Sequence, residues 1–373
     1  MALTKHKLGE FTELYNKRCG KPNLTIYDIS GVNADKEFFE PSKQAGADTS
    51  NYKNVPPDYF ACNLMHVGRD KVLPIALNHS GKTKVVSPAY TIFRLKEGTP
   101  LLREYFFMML KSEERDRYFW FHTDSSVRDG MSWDDFCDLE INIPPIFIQK
   151  KYVDIYNAML VNQQSYERGL EDLKVAFDSI LDKEKHRAHT IAIGELLNEI
   201  DNRNSDGTIE DIEGINITKQ FMPTVANTTD INLNRYKVVQ NDQIAYSGMQ
   251  TGRDKCIRIA LQTSDKPIIV SPAYMVFEVK KDLVLPEFIM MWFSRAESDR
   301  RGWFMSDSSV RSNLDLDRFY ETEIPIPSID EQRAIVDIYR AYTDRRSISN
   351  HLKERIKSMC PILIKGSLEE AGA

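Results

Sequence analysis

Two kinds of hydrophobic pattern alternate along this chain, and each occurs twice. Residues 84–95 and 267–279 are rich in Val, Ile, Tyr and Phe and are bounded by Ser, Gly and Pro, which predicts strands. Apolar residues then recur at helical spacing over 99–114 (Leu101, Tyr105, Met108, Met109) and over 286–298, predicting a helix in each place. Ile141-Asn142-Ile143-Pro144-Pro145 and Ile324-Pro325-Ile326-Pro327 follow, and their prolines predict an end to regular structure and an exit turn. Beyond each exit runs a long amphipathic stretch. Tyr152, Ile155, Met159, Tyr166, Leu173 and Ile180 form one stripe, broken by the polar Asn162. Ile335, Ile338, Tyr342, Leu352, Ile356 and Met359 form the other, broken by Arg345 and Ser349. These predict two helices of roughly 30–40 residues, about 45–60 Å long at 1.5 Å per residue. Ser328-Ile329-Asp330-Glu331 opens the second with a capping box, and Pro361 is expected to close it. Each apolar seam needs a partner: the other helix in a coiled coil, or separately the globular part of its own unit.

The alternation reflects a tandem duplication. Val86-Ser87-Pro88-Ala89-Tyr90 returns as Val270-Ser271-Pro272-Ala273-Tyr274, and Gly68-Arg69-Asp70-Lys71 as Gly252-Arg253-Asp254-Lys255, both displaced by 184 residues. Trp120-Phe121 and Asp124-Ser125-Ser126-Val127-Arg128 return as Trp303-Phe304 and Asp307-Ser308-Ser309-Val310-Arg311 at a displacement of 183. Ile29-Ser30-Gly31-Val32-Asn33 and Val153-Asp154-Ile155-Tyr156 also have partners, at Ile212-Glu213-Gly214-Ile215-Asn216 and Val336-Asp337-Ile338-Tyr339. Order is kept throughout, so nearly the whole chain is two copies of one unit. The expected fold is α+β: two tandem α/β units at 1–145 and 188–327, with long antiparallel coiled-coil helices at 146–187 and 328–373, the latter with a C-terminal tail. Such a molecule is pseudo-two-fold, a rod with a globe at each end. It has the form of a ruler suited to duplex DNA, whose backbone has the same symmetry.

Composition narrows the classes. Of the 373 residues 42% are hydrophobic and 28% charged, which excludes disorder as the main state. No run of 18 apolar residues is present, and the first residues lead straight into charged sequence, so neither a spanning helix nor a signal peptide is expected. The five cysteines (Cys19, Cys62, Cys137, Cys256, Cys360) form no Cys-x-x-Cys pair, which points away from a disulfide scaffold or zinc site and towards a reducing cytoplasm. A net charge of −6 means that nucleic-acid binding needs local basic faces or a helper subunit.

Enzyme motifs fail one by one. Ala76-Leu77-Asn78-His79-Ser80-Gly81-Lys82-Thr83 lacks the first glycine of a phosphate loop and precedes a strand rather than following one. Asn54-Val55-Pro56-Pro57 does not place its Asn directly before the prolines, as an amino-methyltransferase would, and no glycine-rich cofactor loop accompanies it. His122 has Met305 as its counterpart, so it is no catalytic or metal residue.

Candidate DNA contacts come in two groups. Arg69, Lys71, Arg253 and Lys255 place cations beside a glycine, as phosphate contacts or as charged turns. Ser125, Ser126 and Arg128, with Ser308, Ser309 and Arg311, offer hydroxyls and a guanidinium that either grip a phosphate or tie a loop. Tyr90 and Tyr274 are expected in the core, and Trp120 and Trp303 as buried anchors rather than stacking platforms. Where the copies differ, base-reading loops are expected. The windows 34–67 and 218–251 diverge most, and Asn51, Lys53 and Asn54, with Asn234, Arg235, Gln240 and Gln250, are their suitable donors and acceptors.

On these residues the chain resembles the DNA-specificity subunits of type I restriction-modification systems. Two recognition units, an Ile-Pro-Ile-Pro-like ending and a helix opening with Asp330-Glu331-Gln332-Arg333 carry the resemblance. The first copy departs from it, with Phe147-Ile148-Gln149-Lys150 at the helix start and hence a weaker cap. The resemblance implies a non-catalytic subunit whose two units each read half of a split DNA target. The helix pair then sets the gap and docks two methyltransferase subunits, and a translocating nuclease subunit joins the full complex. S-adenosylmethionine, ATP and Mg2+ belong to those partners, and the chain itself holds no cofactor. A self-contained nuclease or methylase, and a two-headed protein- or carbohydrate-binding adaptor, are the other classes open at this point.

Overall fold

The computed structural model describes residues 3–43, 48–124, 130–224, 232–249, 251–307, 309 and 312–372, except for the side chains of Thr4, His66 and Arg69. It is a mixed helix and sheet protein whose strands repeat in order. In the first copy Thr12–Leu14, Thr91–Leu95, Phe60–Cys62 and Ile75–Leu77 form a four-stranded antiparallel sheet in that spatial order. In the second copy Leu197–Ile200, Met275–Val279, Gln243–Ser247 and Arg258–Leu261 do the same.

Period-two alternation decides which side each residue takes. Phe60, Cys62, Ile75, Leu77 and Phe93 enter the main core of the first copy, while Ala61, Ala76 and Ile92 face a smaller cluster with Val32, Val55 and Val86. The second copy splits likewise, Ile244, Tyr246, Ile259 and Phe277 on one side and Ala245, Ala260 and Val276 on the other. Tyr90 and Tyr274 pack on the smaller clusters, and their hydroxyls accept hydrogen bonds from the backbone N–H groups of Val32 (2.9 Å) and Ile215 (3.4 Å).

Each copy opens and closes on one two-stranded sheet, Thr4–Lys7 with Glu140–Ile143 and His189–Ala192 with Glu323–Ile326. The proline-bearing exit is thus partly strand: Pro325 pairs with Thr190. A two-stranded sheet has only edges, where the missing N–H is harmless. The single helix expected over 99–114 is two, Arg103–Leu110 and Glu113–Phe121, and the second copy has Pro286–Phe293 and Ala296–Met305. Ser112 ends one helix and caps the next, its hydroxyl accepting from the Arg115 N–H at 3.3 Å.

The first long helix is interrupted. Ile146–Glu167 and Leu170–Arg187 are separated at Arg168-Gly169, where Gly169 takes φ +82°, a left-handed conformation that ends a helix and favours glycine. The second runs unbroken over the 44 residues Ile329–Gly372, straight through Pro361. Proline removes one helical hydrogen bond, but Cys360, Leu363, Ile364 and Ser367 around it are buried, and that packing carries the helix on. At its start the expected capping box is formed: the Ser328 hydroxyl accepts from the Glu331 N–H (3.4 Å), and the Glu331 carboxylate from the Ser328 N–H (3.1 Å).

The chain divides into two compact units, Met1–Ser165 with Ile348–Ala373 and Tyr166–Ser347. Within the first, the helical segments run antiparallel: Lys151 meets Glu370 at 2.8 Å and Gln163 donates to Ser349 at 2.9 Å. Within the second, Phe177 lies edge-on to Tyr339 and Tyr342, with centroids 5.6 and 5.4 Å apart, and Arg187 reaches Glu331 at 2.6 Å. The segments pack on each other and on the globular core together. Val153, Tyr156, Ile356, Cys360, Leu363 and Ile364 belong to the first core, and Phe177, Leu181, Ile335 and Val336 to the second.

Among the expected seam residues, Met159, Ile180, Ile338 and Tyr342 pack against these cores, and Leu173, Leu352 and Met359 are half-buried. The Tyr152 hydroxyl bonds Glu370, and the Tyr166 ring lies under the Arg345 guanidinium. Ile155 is the exception, exposed at 42%, because Val153 and Tyr156 on either side of it take the inward positions.

A buried glutamine fastens each long helix to its unit. The Gln149 amide donates to the carbonyls of Pro144 (2.8 Å) and Pro100 (2.7 Å) and accepts from the Leu102 N–H (2.8 Å). Gln332 repeats this with Pro327 (2.9 Å), Leu283 (3.0 Å) and Leu285 (2.9 Å).

Candidate nucleic-acid interface

Two motifs that lie far apart in each copy's sequence meet at one place in its fold, and in the second copy described residues of a third join them. The helix Glu113–Phe121 ends in Trp120-Phe121, and the short helix Val67–Asp70 is followed by Lys71 at φ +53°. That left-handed turn brings the Lys71 ammonium over the Trp120 ring, 4.8 Å from its centroid. In the second copy Thr251–Asp254 is followed by Lys255 at φ +52°, whose ammonium lies 4.6 Å from the Trp303 centroid. A non-glycine residue held there costs about 1–3 kcal/mol. Both copies bear the cost, and both spend it on placing a cation against an indole.

These tryptophans are not the buried anchors expected from sequence. Trp120 is 39% and Trp303 48% exposed, and the following Phe121 and Phe304 are 82% and 87% exposed. The core face of each helix is filled instead by Phe119 in the first copy and by Gly302, close against Ile257, in the second, which turns the Trp-Phe pair outward. Exposed Arg117 and Arg300 sit one turn earlier on the same helices. Sequence reading missed them, although Asp116-Arg117-x-x-Trp120-Phe121 returns as Asp299-Arg300-x-x-Trp303-Phe304.

A buried charge pair fixes each aromatic helix. The Lys36 ammonium is 2.6 Å from an Asp116 oxygen that also accepts from the Leu73 N–H at 3.0 Å. The Lys219 ammonium is 2.7 Å from Asp299, which accepts from the Ile257 N–H at 2.9 Å. Lys36 and Lys219 also have left-handed backbones, φ +64° and +62°. Burial pushes the Lys36 amine below its ordinary range, and the Asp116 carboxylate opposes that shift. Each aspartate thus ties a loop, the aromatic helix and the chain just beyond the Gly-Arg-Asp-Lys turn to one point.

In the second copy described residues of the serine-rich loop join the same place. There the Gly252 N–H donates to the Ser312 carbonyl (2.8 Å) and the Leu314 N–H to that of Gly248 (2.9 Å). Asp307 folds the loop by accepting from the N–H groups of Ser309 and Asn313, both at 3.0 Å. Its carboxyl is held below the usual range by the bonds to Ser309. In the first copy Met131 donates to the Leu64 carbonyl at 3.0 Å. Ser125, Ser126, Arg128, Ser308, Arg311, Gln250 and the Arg69 side chain lie outside the described residues. Asp254 pairs with Arg253 (2.8 Å) and Arg258 (2.5 Å), and these bonds hold its carboxyl low.

The described residues among those singled out as base readers gather elsewhere in their copies, around the small sheets Lys53–Val55 with Lys84–Val86 and Lys237–Val239 with Ile268–Val270. Asn51 bonds Arg18, the Lys53 ammonium donates to the Tyr90 carbonyl (2.7 Å), and the Asn54 amide to the Arg18 carbonyl (3.3 Å). Asn234 donates to the Ser205 carbonyl (3.0 Å), and the Arg235 carbonyl accepts from Arg203 (2.8 Å). Gln240 is exposed in the turn before Gln243. The bridges Arg18↔Lys53 and Arg203↔Lys237 make Lys237 the structural twin of Lys53, so this part of the window is shared framework. Among the described residues no group of His, Cys, Asp and Glu is arranged to hold a metal ion, and no helix is long and apolar enough to cross a membrane.

The chain is similar to known proteins in part of its sequence and in its fold. Residues 203–358 fit the family described as the type I restriction modification DNA specificity domain. No curated protein matches the chain by sequence. Among solved structures, the type I restriction-modification S subunit from M. genitalium is similar at 15% identity, over 100% of this chain and 96% of that one, with a TM-score of 0.55. An HsdS subunit from Thermoanaerobacter tengcongensis is found at 12% identity, over 98% of this chain and 96% of that one, with a TM-score of 0.36. Residues 203–358 thus match the type I restriction modification DNA specificity domain, the first copy repeats the strand order of the second, and the chain is similar in fold to a type I S subunit.

Proposed function

We propose that this chain is the sequence-specific DNA-recognition subunit of a type I restriction-modification enzyme, each copy reading one half of a split target. The observation that carries the reading is the doubling itself. Two copies of one fold present the same Lys, Arg, Trp and Phe, and carry elsewhere windows that differ. Shared groups suit what is the same at both half-sites, the sugar-phosphate backbone and base faces. Divergent loops suit what differs, the base edges. The boundaries remain those of the sequence: recognition units over 1–145 and 188–327, and helices over 146–187 and 328–373 that set the gap and dock two methyltransferase subunits. The chain acts in the cytoplasm without chemistry of its own, and a nuclease-translocase subunit completes the restricting complex. Methylation is supplied by the partners, which bring S-adenosylmethionine.

Mapping methylated bases across the source genome, with the gene intact and deleted, tests this. One split motif disappears on deletion, and its two halves and gap are the target. Unchanged methylation in cells that express the chain would leave the two-headed adaptor as the better reading.

A further inference from the structure

We infer that the exposed Trp-Phe pair at the end of each aromatic helix is a wedge that enters the DNA base stack, with Phe121 and Phe304 as its tips. The inference rests on the DNA-recognition reading and adds to it a distortion of the duplex. Phe121 and Phe304 are 82% and 87% exposed, although a phenylalanine kept in water gains nothing from its ring. Both copies nonetheless present one, on a helix whose other faces are anchored by a buried ion pair. The exposed parts of two rings fall far short of the roughly 800 Å² per partner that a stable protein interface buries. They match what a single opened base step accepts from an apolar side chain.

The surroundings favour nucleic acid. Lys71 and Lys255 lie on the indoles, and exposed Arg117 and Arg300 stand one turn back, so each pair of rings comes with two cations for the flanking phosphates. The rings are the same in both copies, whereas residues reading two different half-sites diverge. Insertion between bases is tolerant of sequence, since every base has a π-face. Opening the stack also suits the proposed chemistry. A methyltransferase reaches its base only after that base has left the duplex, and unstacking nearby lowers the cost.

The experiment uses the full chain, alone and with its methyltransferase partner, and a duplex carrying the mapped motif with 2-aminopurine placed at successive steps. Phe121→Ala and Phe304→Ala weaken binding about tenfold or more, and each abolishes the 2-aminopurine fluorescence rise in one half-site only. Phe121→Leu and Phe304→Leu restore much of both, because leucine also wedges. Thermal unfolding is unchanged in all four variants. If wild-type chain shows no salt-dependent binding to the duplex, the recognition reading itself fails. If it binds and the alanine variants bind and fluoresce alike, there is no wedge. If the alanine variants lose only co-purification with the methyltransferase, the pair is a protein-docking surface and the inference is overturned.

Discussion

Lys36 and Asp116 show how much a single pair of residues decides. An ammonium and a carboxylate taken out of water together hold only while both are present; removing one leaves an uncompensated buried charge. Asp116→Asn should therefore cost about 3–5 kcal/mol, read by denaturant unfolding, and release the aromatic helix of the first copy. Gln332→Leu leaves the Leu285 N–H and two carbonyls without their partner, at about 1–3 kcal/mol for each group that stays dry. Asp254 gives a pH signature. Its hydrogen bonds to Arg253, then Arg258, lower its folded pKa. The stabilisation is thus fully present above about pH 4, the unfolded carboxylate value, and is lost as pH falls through the lower folded value. An NMR titration of the Asp254 carboxyl, which should titrate below that point, checks the sign.

At the scale of elements, local propensity and tertiary packing disagree in two informative places. Proline inside a helix costs about 3 kcal/mol relative to alanine, yet the C-terminal helix passes through Pro361 because Cys360, Leu363 and Ile364 are buried around it. Pro361→Ala should raise the unfolding free energy by about 1–3 kcal/mol with no change in helix length by circular dichroism. Gly169 is the reverse case, a break in a stretch whose pattern reads as continuous helix. Its φ of +82° is strained for any residue with a Cβ, so Gly169→Ala should cost about 1 kcal/mol in the same unfolding measurement.

On the scale of the whole molecule, the duplication makes each copy a control for the other. Exchanging residues 34–67 for 218–251 should convert one half-site of the mapped motif and leave the other. If both changed, those windows would not be the readers. Lys71→Met and Lys255→Met together should reduce the slope of log affinity against log salt by about 2, near one unit per phosphate contact.

Much of this protein was legible in one dimension because the duplication supplied its own comparison. Repeated motifs displaced by 183 or 184 residues defined two copies, the Val-, Ile-, Tyr- and Phe-rich runs marked strands in each, and the stripes marked the long helices. Their residue-by-residue spacing is a property of backbone geometry alone. What only the tertiary structure decided was which side of an element faces inward and which distant residues touch. Trp120 reads from sequence as a core residue, since large aromatics usually are. It is exposed because Phe119 fills the core and Lys71, 49 residues earlier, arrives over its ring. The Lys36–Asp116 pair was invisible for the same reason: nothing in local spacing links a loop lysine to a helical aspartate. Burial and pairing energies depend on what surrounds a group in three dimensions, and that is set only when the whole chain has folded.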